Sequence, residues 1–353
     1  MAYWCTAVTK SGKACPRPAL KGQQHCLFHL SGDEKVSISQ VQKPLTYQKT
    51  IIDFFDKDCA KVFKDKESWE CWRAFCKICY GIPLGEEEME LYQYCTKREK
   101  PPSNPIEIYS ICGRRGGKSF ISAFMACFEA LYNPWIGRLA PGEKGSVFII
   151  ATDRRQAGIV LNYCKGILDT IGQKAKVYRE QIELEKTLIE VKTASFRAGR
   201  GYSTLMIVLD ELAFFRDEAS ANPAEEIINS LLPGLVEGGK LVGISTPYAR
   251  MGYLYESYAQ YFAKENEDVL IWVAPTQLMN SSYSEKQIDK LIRRGEAMRS
   301  EFMAEFRTDV ESYLTREEVE GVMEHEAVYH QVGSERYFAF CDMSGGRNDS
   351  SAL

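Results

Sequence analysis

The sequence predicts an α/β fold whose core is a mainly parallel sheet flanked by helices. Between residues 106 and 273, apolar runs of four to six residues alternate with helical patterns, as expected when crossover helices bury both faces of a sheet. In addition, Gly117-Lys118-Ser119 falls where the first apolar run gives way to the first of these helices. That junction is where a phosphate-binding loop belongs.

The elements follow from local pattern. Strands are expected at Ile106 to Ile111, Ser146 to Ala151, Leu205 to Leu209, Leu241 to Ile244 and Val269 to Val273, with helices at Lys118 to Leu131 and Arg155 to Ile171. Residues 177–193 alternate apolar and charged side chains around a short turn and predict a half-exposed hairpin. Upstream, Ile51, Phe54, Phe55, Phe63, Trp69, Trp72, Phe75 and Cys79 recur at helical spacing and define a helical subdomain over 47–100. The charged, proline-rich run 97–105 ends it, since proline cannot continue a helix. The α/β core then spans 101–280, a charged helical connector 281–335, and a new strand opens within 336–353.

Composition narrows the function classes. A formal net charge of −4 supplies no global attraction for nucleic acid, so any DNA contact has to be local or shared among copies. No apolar run is long enough to span a membrane and the first residues lack the core of a signal peptide, so a soluble, intracellular protein is expected. Twelve cysteines in such a chain suggest metal ligands and buried thiols rather than disulfides. Cys5, Cys15, Cys26 and His29 lie in residues 1–30, a segment too poor in large apolar side chains to build a core. Four soft ligands there fit a structural, tetrahedral Zn²⁺ site, with His25 able to replace His29. Residues 31–46 are polar and read as a linker.

The chemistry concentrates in three stretches. ICGRRGGKSF, residues 111–120, offers backbone N–H groups, Lys118 and the Ser119 hydroxyl to phosphates and Mg²⁺. Cys112, however, stands where the usual GxxxxGK[ST] pattern has its first glycine, and Arg114 and Arg115 sit inside the loop. LMIVLDEL, residues 205–212, ends a buried run in Asp210, suited to a Mg²⁺ shell, and Glu211, suited to polarising water. GISTP, residues 243–247, ends another strand in Ser245 and Thr246, hydroxyls placed to sense a γ-phosphate. Either Arg114 or Arg115 could stabilise the transferring phosphoryl group from the same chain. Tyr47, Trp69 and Trp72 are candidates for adenine contact or for core, and the base-binding residues stay open.

The set GRRGGKS, IVLDE and GISTP, in this order and with DMSGGRND at 342–349, resembles the large terminase subunit of tailed bacteriophages. The resemblance extends over most of the chain beyond the N-terminal segment and implies a P-loop NTPase fold of the RecA/ASCE type. In that family the phosphate loop carries arginine and a relaxed first position, which accounts for Cys112 and the paired arginines. It implies that Gly113, Gly116, Gly117, Lys118 and Ser119 bind ATP with Mg²⁺, and that Asp210 and Glu211 form the Walker B pair. Ser245 to Pro247 would be the motif that couples hydrolysis to movement, and Arg200 matches a position that reaches a neighbouring subunit. The implied partners are double-stranded DNA, a small terminase subunit, the portal protein and further copies in a ring on the portal, all in the host cytoplasm. Asp342 and Asp349 would open an RNase H-like nuclease domain whose later metal ligands are absent from this chain, so it reads as truncated and unable to cleave DNA alone. Two other readings stay open: a two-RecA-domain helicase, disfavoured by the DMSGGRND continuation, and a non-hydrolysing zinc-dependent adaptor, disfavoured by an intact Glu211.

Overall fold

A computed structural model of the chain describes residues 46–63, 65–193, 201–215 and 223–308. The chain divides after Thr46, and the fold described belongs to the unit that begins at Tyr47. Eight strands form one sheet: β1 Glu107–Cys112, β2 Gly145–Ala151, β3 Lys176–Val177, β4 Gln181–Glu183, β5 Thr187–Thr193, β6 Ser203–Asp210, β7 Leu235–Ser245 and β8 Val269–Ala274. Their order is β3-β4-β5-β2-β6-β7-β1-β8. All pairs from β5 to β8 along this order are parallel, and only β3-β4 and β4-β5 are antiparallel.

The helices are α1 Ile51–Asp53, which runs on into a π-helical turn Phe54–Asp58, α2 Glu70–Cys79, α3 Glu86–Thr96, α4 Lys118–Tyr132, α5 Arg154–Thr170, α6 Pro223–Leu231, α7 Tyr253–Tyr261, α8 Thr276–Met279, α9 Glu285–Ile292 and α10 Glu296–Met303. Both faces of the sheet are covered, and the period-two geometry of a strand shows how. Val147 and Ile149 of β2 join a core with Phe124 and Phe128 of α4, whereas Phe148 and Ile150 join a second core with Ile227 and Ile228 of α6. Strands buried on both sides read as continuous apolar runs, which is why they were legible.

The helical subdomain packs on α4 through aromatic rings. Phe54 stacks on Phe124 at 5.0 Å and Tyr47 on Phe128 at 5.3 Å. Glu129 of α4, fully buried, accepts hydrogen bonds from Tyr47 Oη at 2.9 Å, Tyr80 Oη at 2.7 Å and Asn133 Nδ2 at 2.5 Å. Three donors offset the cost of burying that carboxyl group, whose pKa burial raises.

The hairpin expected within 177–193 is present, since β4 and β5 pair antiparallel, and β5 also joins the main sheet beside β2 with Ile189 and Val191 buried. The described part of the connector is helical, as two short helices, α9 and α10, separated at Gly295 with φ 117°. β7 begins at Leu235, six residues before the expected start, and runs through Gly238 at φ 77°. Among the described residues no helix is long and apolar enough to cross a membrane.

Candidate active site

The site lies at the carboxyl ends of β1, β6 and β7, the end of a parallel sheet where ligands bind. β1 ends at Cys112, whose side chain is buried and whose thiol lies 3.1 Å from Ser110 Oγ. Burial pushes that thiol up to about 12, so it stays a neutral part of the strand end. The loop proper starts one residue later. A Cβ on Gly113 would stand 2.2 Å from Thr276 Oγ1 and 2.8 Å from the Phe302 carbonyl oxygen, so the position that has to be glycine is 113 rather than 112. Arg115 at φ 66° and Gly117 at φ 90° then turn the chain into α4.

Lys118, the first residue of α4, is 7% exposed and donates to the carbonyl oxygens of Cys112 at 2.8 Å and Gly113 at 3.1 Å. Burial lowers its pKa, while the carboxylates of Glu211 and Asp210 pull in the other direction. Ser119 Oγ is 3.5 Å from Asp210 Oδ1. Asp210 is 2% exposed, and burial together with the charge of Glu211 pushes its pKa up to about 7, against the opposing effects of Lys118 and Ser119.

Glu211 follows in the left-handed region at φ 56°, ψ 47°, a conformation that costs a non-glycine residue roughly 1–2 kcal/mol. Such strain concentrates at functional sites. Its Oε2 lies 3.3 Å from Ser245 Oγ and 3.5 Å from Thr246 Oγ1 at the end of the neighbouring strand. Ser245 Oγ accepts from the Ala213 N–H at 3.2 Å and has one proton to give, shared between the Thr246 carbonyl at 2.8 Å and Glu211. The hydroxyls of GISTP and the second acid of β6 are therefore one hydrogen-bonded unit.

The loop arginines are exposed, and Arg114 is engaged elsewhere: its guanidinium meets the Glu301 carboxylate of α10, with Nε 2.5 Å from Oε2. Trp72 is not available to a base. It is fully buried, and its Nε1 donates to the Gly116 carbonyl at 2.6 Å. Tyr47 is likewise part of the α4 packing. The structure thus brings together Gly113, Gly116, Gly117, Lys118, Ser119, Asp210, Glu211, Ser245 and Thr246. Arg200, Asp342, Asp349, Cys5, Cys15, Cys26 and His29 lie outside the described residues. Among those described, no cluster of three or more His, Cys, Asp or Glu side chains could hold a metal by itself. The hard oxygen donors Ser119 and Asp210 nevertheless suit Mg²⁺, which takes one or two protein ligands and completes its shell with phosphate oxygens and water. Sequence reasoning missed Thr276, Asn280 and Glu301, whose contacts to the loop span more than 160 residues and leave no local signal.

β7 separates the loop-bearing strand β1 from the acid-bearing strand β6, and with the glycine loop this defines a fold of the P-loop class with an inserted strand. Residues 94–233 match the family model described as terminase large subunit, ATPase domain. Among solved structures, the large terminase ATPase domain of Thermus phage P74-26 is similar at 17% identity over 66% of this chain and 98% of that one, with a TM-score of 0.47. The HK97 bacteriophage large terminase is similar at 15% identity over 66% of this chain and 53% of that one, TM-score 0.43. The large terminase of a thermophilic bacteriophage in complex with ADP is similar at 14% identity over 57% and 48% of the two chains, TM-score 0.42. No curated protein matches.

Proposed function

We propose that the chain is the ATP-hydrolysing motor subunit of a phage terminase, which drives double-stranded DNA into an empty capsid. The observation that supports this most is the convergence of Lys118, Ser119, Asp210 and Glu211 at one end of β1 and β6, within the residues that match the terminase ATPase family.

In this reading the N–H groups of the loop, the amino end of α4 and Lys118 hold the triphosphate. Lys118 trades its bonds to the Cys112 and Gly113 carbonyls for phosphate oxygens. Ser119 and Asp210 would hold Mg²⁺, which would supply positive charge to the phosphates. Glu211 orients the attacking water and receives its proton, its carboxylate aimed by the strained backbone. Ser245 and Thr246, sharing that carboxylate, register its state and pass it along β7. Arg114 or Arg115 approaches the transferring phosphoryl group from the same chain, and Arg200 from a neighbour. A small terminase subunit, the portal and further copies of this chain complete the machine. Separately, we propose on sequence spacing that Cys5, Cys15, Cys26 and His29 bind a structural zinc ion, which metal analysis of the purified chain would detect at one equivalent.

The test is protection of double-stranded DNA from nuclease by its cognate empty capsids, with portal, small subunit and ATP. Protection that requires ATP and is lost in Lys118→Ala is expected. DNA protected equally well by Lys118→Ala would contradict the motor role.

A further inference from the structure

Three consecutive carbonyl groups of the phosphate loop are held from outside it, each by a different side chain. Arg114 O accepts from Thr276 Oγ1 at 2.8 Å, Arg115 O from Asn280 Nδ2 at 2.9 Å, and Gly116 O from Trp72 Nε1 at 2.6 Å. In a trans peptide the carbonyl and the following N–H point in opposite directions, so a carbonyl fixed outward turns the next N–H inward. The N–H groups so directed and offered to a ligand belong to Arg115 and Gly117, while that of Gly116 closes a turn onto Gly113 O at 3.2 Å and sets the curvature between them. An anion-binding concavity consists of such converging N–H groups. We propose that Trp72, Thr276 and Asn280 are positioning residues that hold the phosphate loop in its anion-binding form.

The donors are far apart in sequence but come from two helices that pack together: Trp72 from α2 of the helical subdomain, Thr276 and Asn280 from the two ends of α8, with Cys71 Sγ of α2 3.2 Å from Met279 Sδ of α8. Trp72 and Thr276 are fully buried, so both donors are shielded from water, and the bond from Trp72 is buried at both ends. The carbonyls they hold, of Arg114 and Gly116, directly precede the two loop residues with left-handed φ, Arg115 and Gly117. A Cβ on Gly117 would come within 3.1 Å of Trp72 Nε1, so the indole and the glycine are fitted to each other. The inference rests on the loop binding phosphate, as proposed above, and goes beyond it by assigning the arrangement to residues outside the loop.

The test compares binding of Mg²⁺-ATP and of Mg²⁺-triphosphate without a nucleoside, by calorimetry, in wild type, Thr276→Val, Thr276→Ser, Asn280→Asp and Trp72→Phe, with melting of each unliganded protein. Loss of one neutral hydrogen bond predicts about fivefold weaker binding in Thr276→Val and Trp72→Phe. Asn280→Asp, which sets a carboxylate against a carbonyl, should lose about tenfold. The factor should be the same for both ligands, and Thr276→Ser, which keeps the hydroxyl, should bind as wild type does. Wild-type affinity in Thr276→Val and Asn280→Asp, or equal losses in Thr276→Ser and Thr276→Val, overturns the proposal and leaves the phosphate site standing. Failure of wild type to bind either ligand overturns the phosphate site and this proposal with it. Trp72→Phe carries a packing change as well, so the Thr276 pair decides if it fails to fold.

Discussion

Arg114 is joined to Glu301 twice: its guanidinium Nε lies 2.5 Å from Glu301 Oε2, and its backbone N–H donates to the Glu301 carbonyl at 2.5 Å. The helix α10 therefore grips the phosphate loop by both side chain and main chain. The next contact along α10 reaches the neighbouring motif, since Ser300 Oγ, buried, donates to the Pro247 carbonyl at 2.8 Å. One helix thus touches both GRRGGKS and GISTP.

The arginine side chain in that pair is 62% exposed, so the ion pair contributes little to stability, about 0–1 kcal/mol. Under the proposed function its effect falls on nucleotide binding, because Glu301 engages Arg114 and its charge also reaches Lys118. We predict that Glu301→Gln melts within about 2 °C of wild type and binds ATP about threefold more tightly. Thermal melting and the KM for ATP check this, and a raised KM would show that Glu301 does not oppose the nucleotide.

Asp210 predicts a pH dependence of stability. Its pKa of about 7 in the folded protein exceeds the ordinary 3.8. The folded state therefore holds a proton that the unfolded state has released between these values. The stabilisation this gives is complete below about pH 3.8 and is lost as pH rises through about 7, on the order of 4 kcal/mol in all. Asp210→Asn has no such loss. Without Mg²⁺ it should be more stable than wild type at pH 8 and similar at pH 4, while hydrolysis disappears. Parallel melting curves for the two proteins from pH 4 to 8 would contradict the assignment.

The loop's glycine requirement can be located by exchange. Gly113→Ala drives a methyl group into Thr276 and the Phe302 carbonyl, and the backbone oxygen cannot move aside cheaply. The expected loss is about 2–3 kcal/mol with ATP binding abolished. Cys112→Ala, one residue earlier, removes only a neutral buried thiol and should leave hydrolysis within about twofold of wild type. Equal effects of the two substitutions would place the requirement elsewhere.

Much of this was legible in the sequence because its cause is local. Each parallel strand is buried on both faces, so Val147 to Ile150 and Leu205 to Leu209 appear as unbroken apolar runs whichever core each residue faces. The acids of β6 and the hydroxyls of β7 follow such runs directly, and their meeting is a consequence of parallel pairing. What supports the loop was not legible. Trp72 carries the same spacing signal as its core neighbours, and only its indole N–H distinguishes it. Thr276 and Asn280 are ordinary polar residues around a four-residue helix whose position depends on β8 pairing with β1. Nor does periodicity reveal that Gly295 breaks the connector so that α10 returns to the loop.

The central claim is that Glu211, aimed at the carboxyl end of β7 by a left-handed backbone, carries the hydrolytic step. The measurement that tests it most directly is Mg²⁺-dependent ATP hydrolysis by wild type and Glu211→Gln across protein concentration, with ATP binding measured in parallel. Glutamine keeps the size and a polar contact to Ser245 and Thr246 but cannot take a proton. The account predicts ATP binding within about twofold of wild type and a turnover rate lower by about a hundredfold or more. Turnover in Glu211→Gln close to that of wild type, with ATP bound equally well, would contradict it.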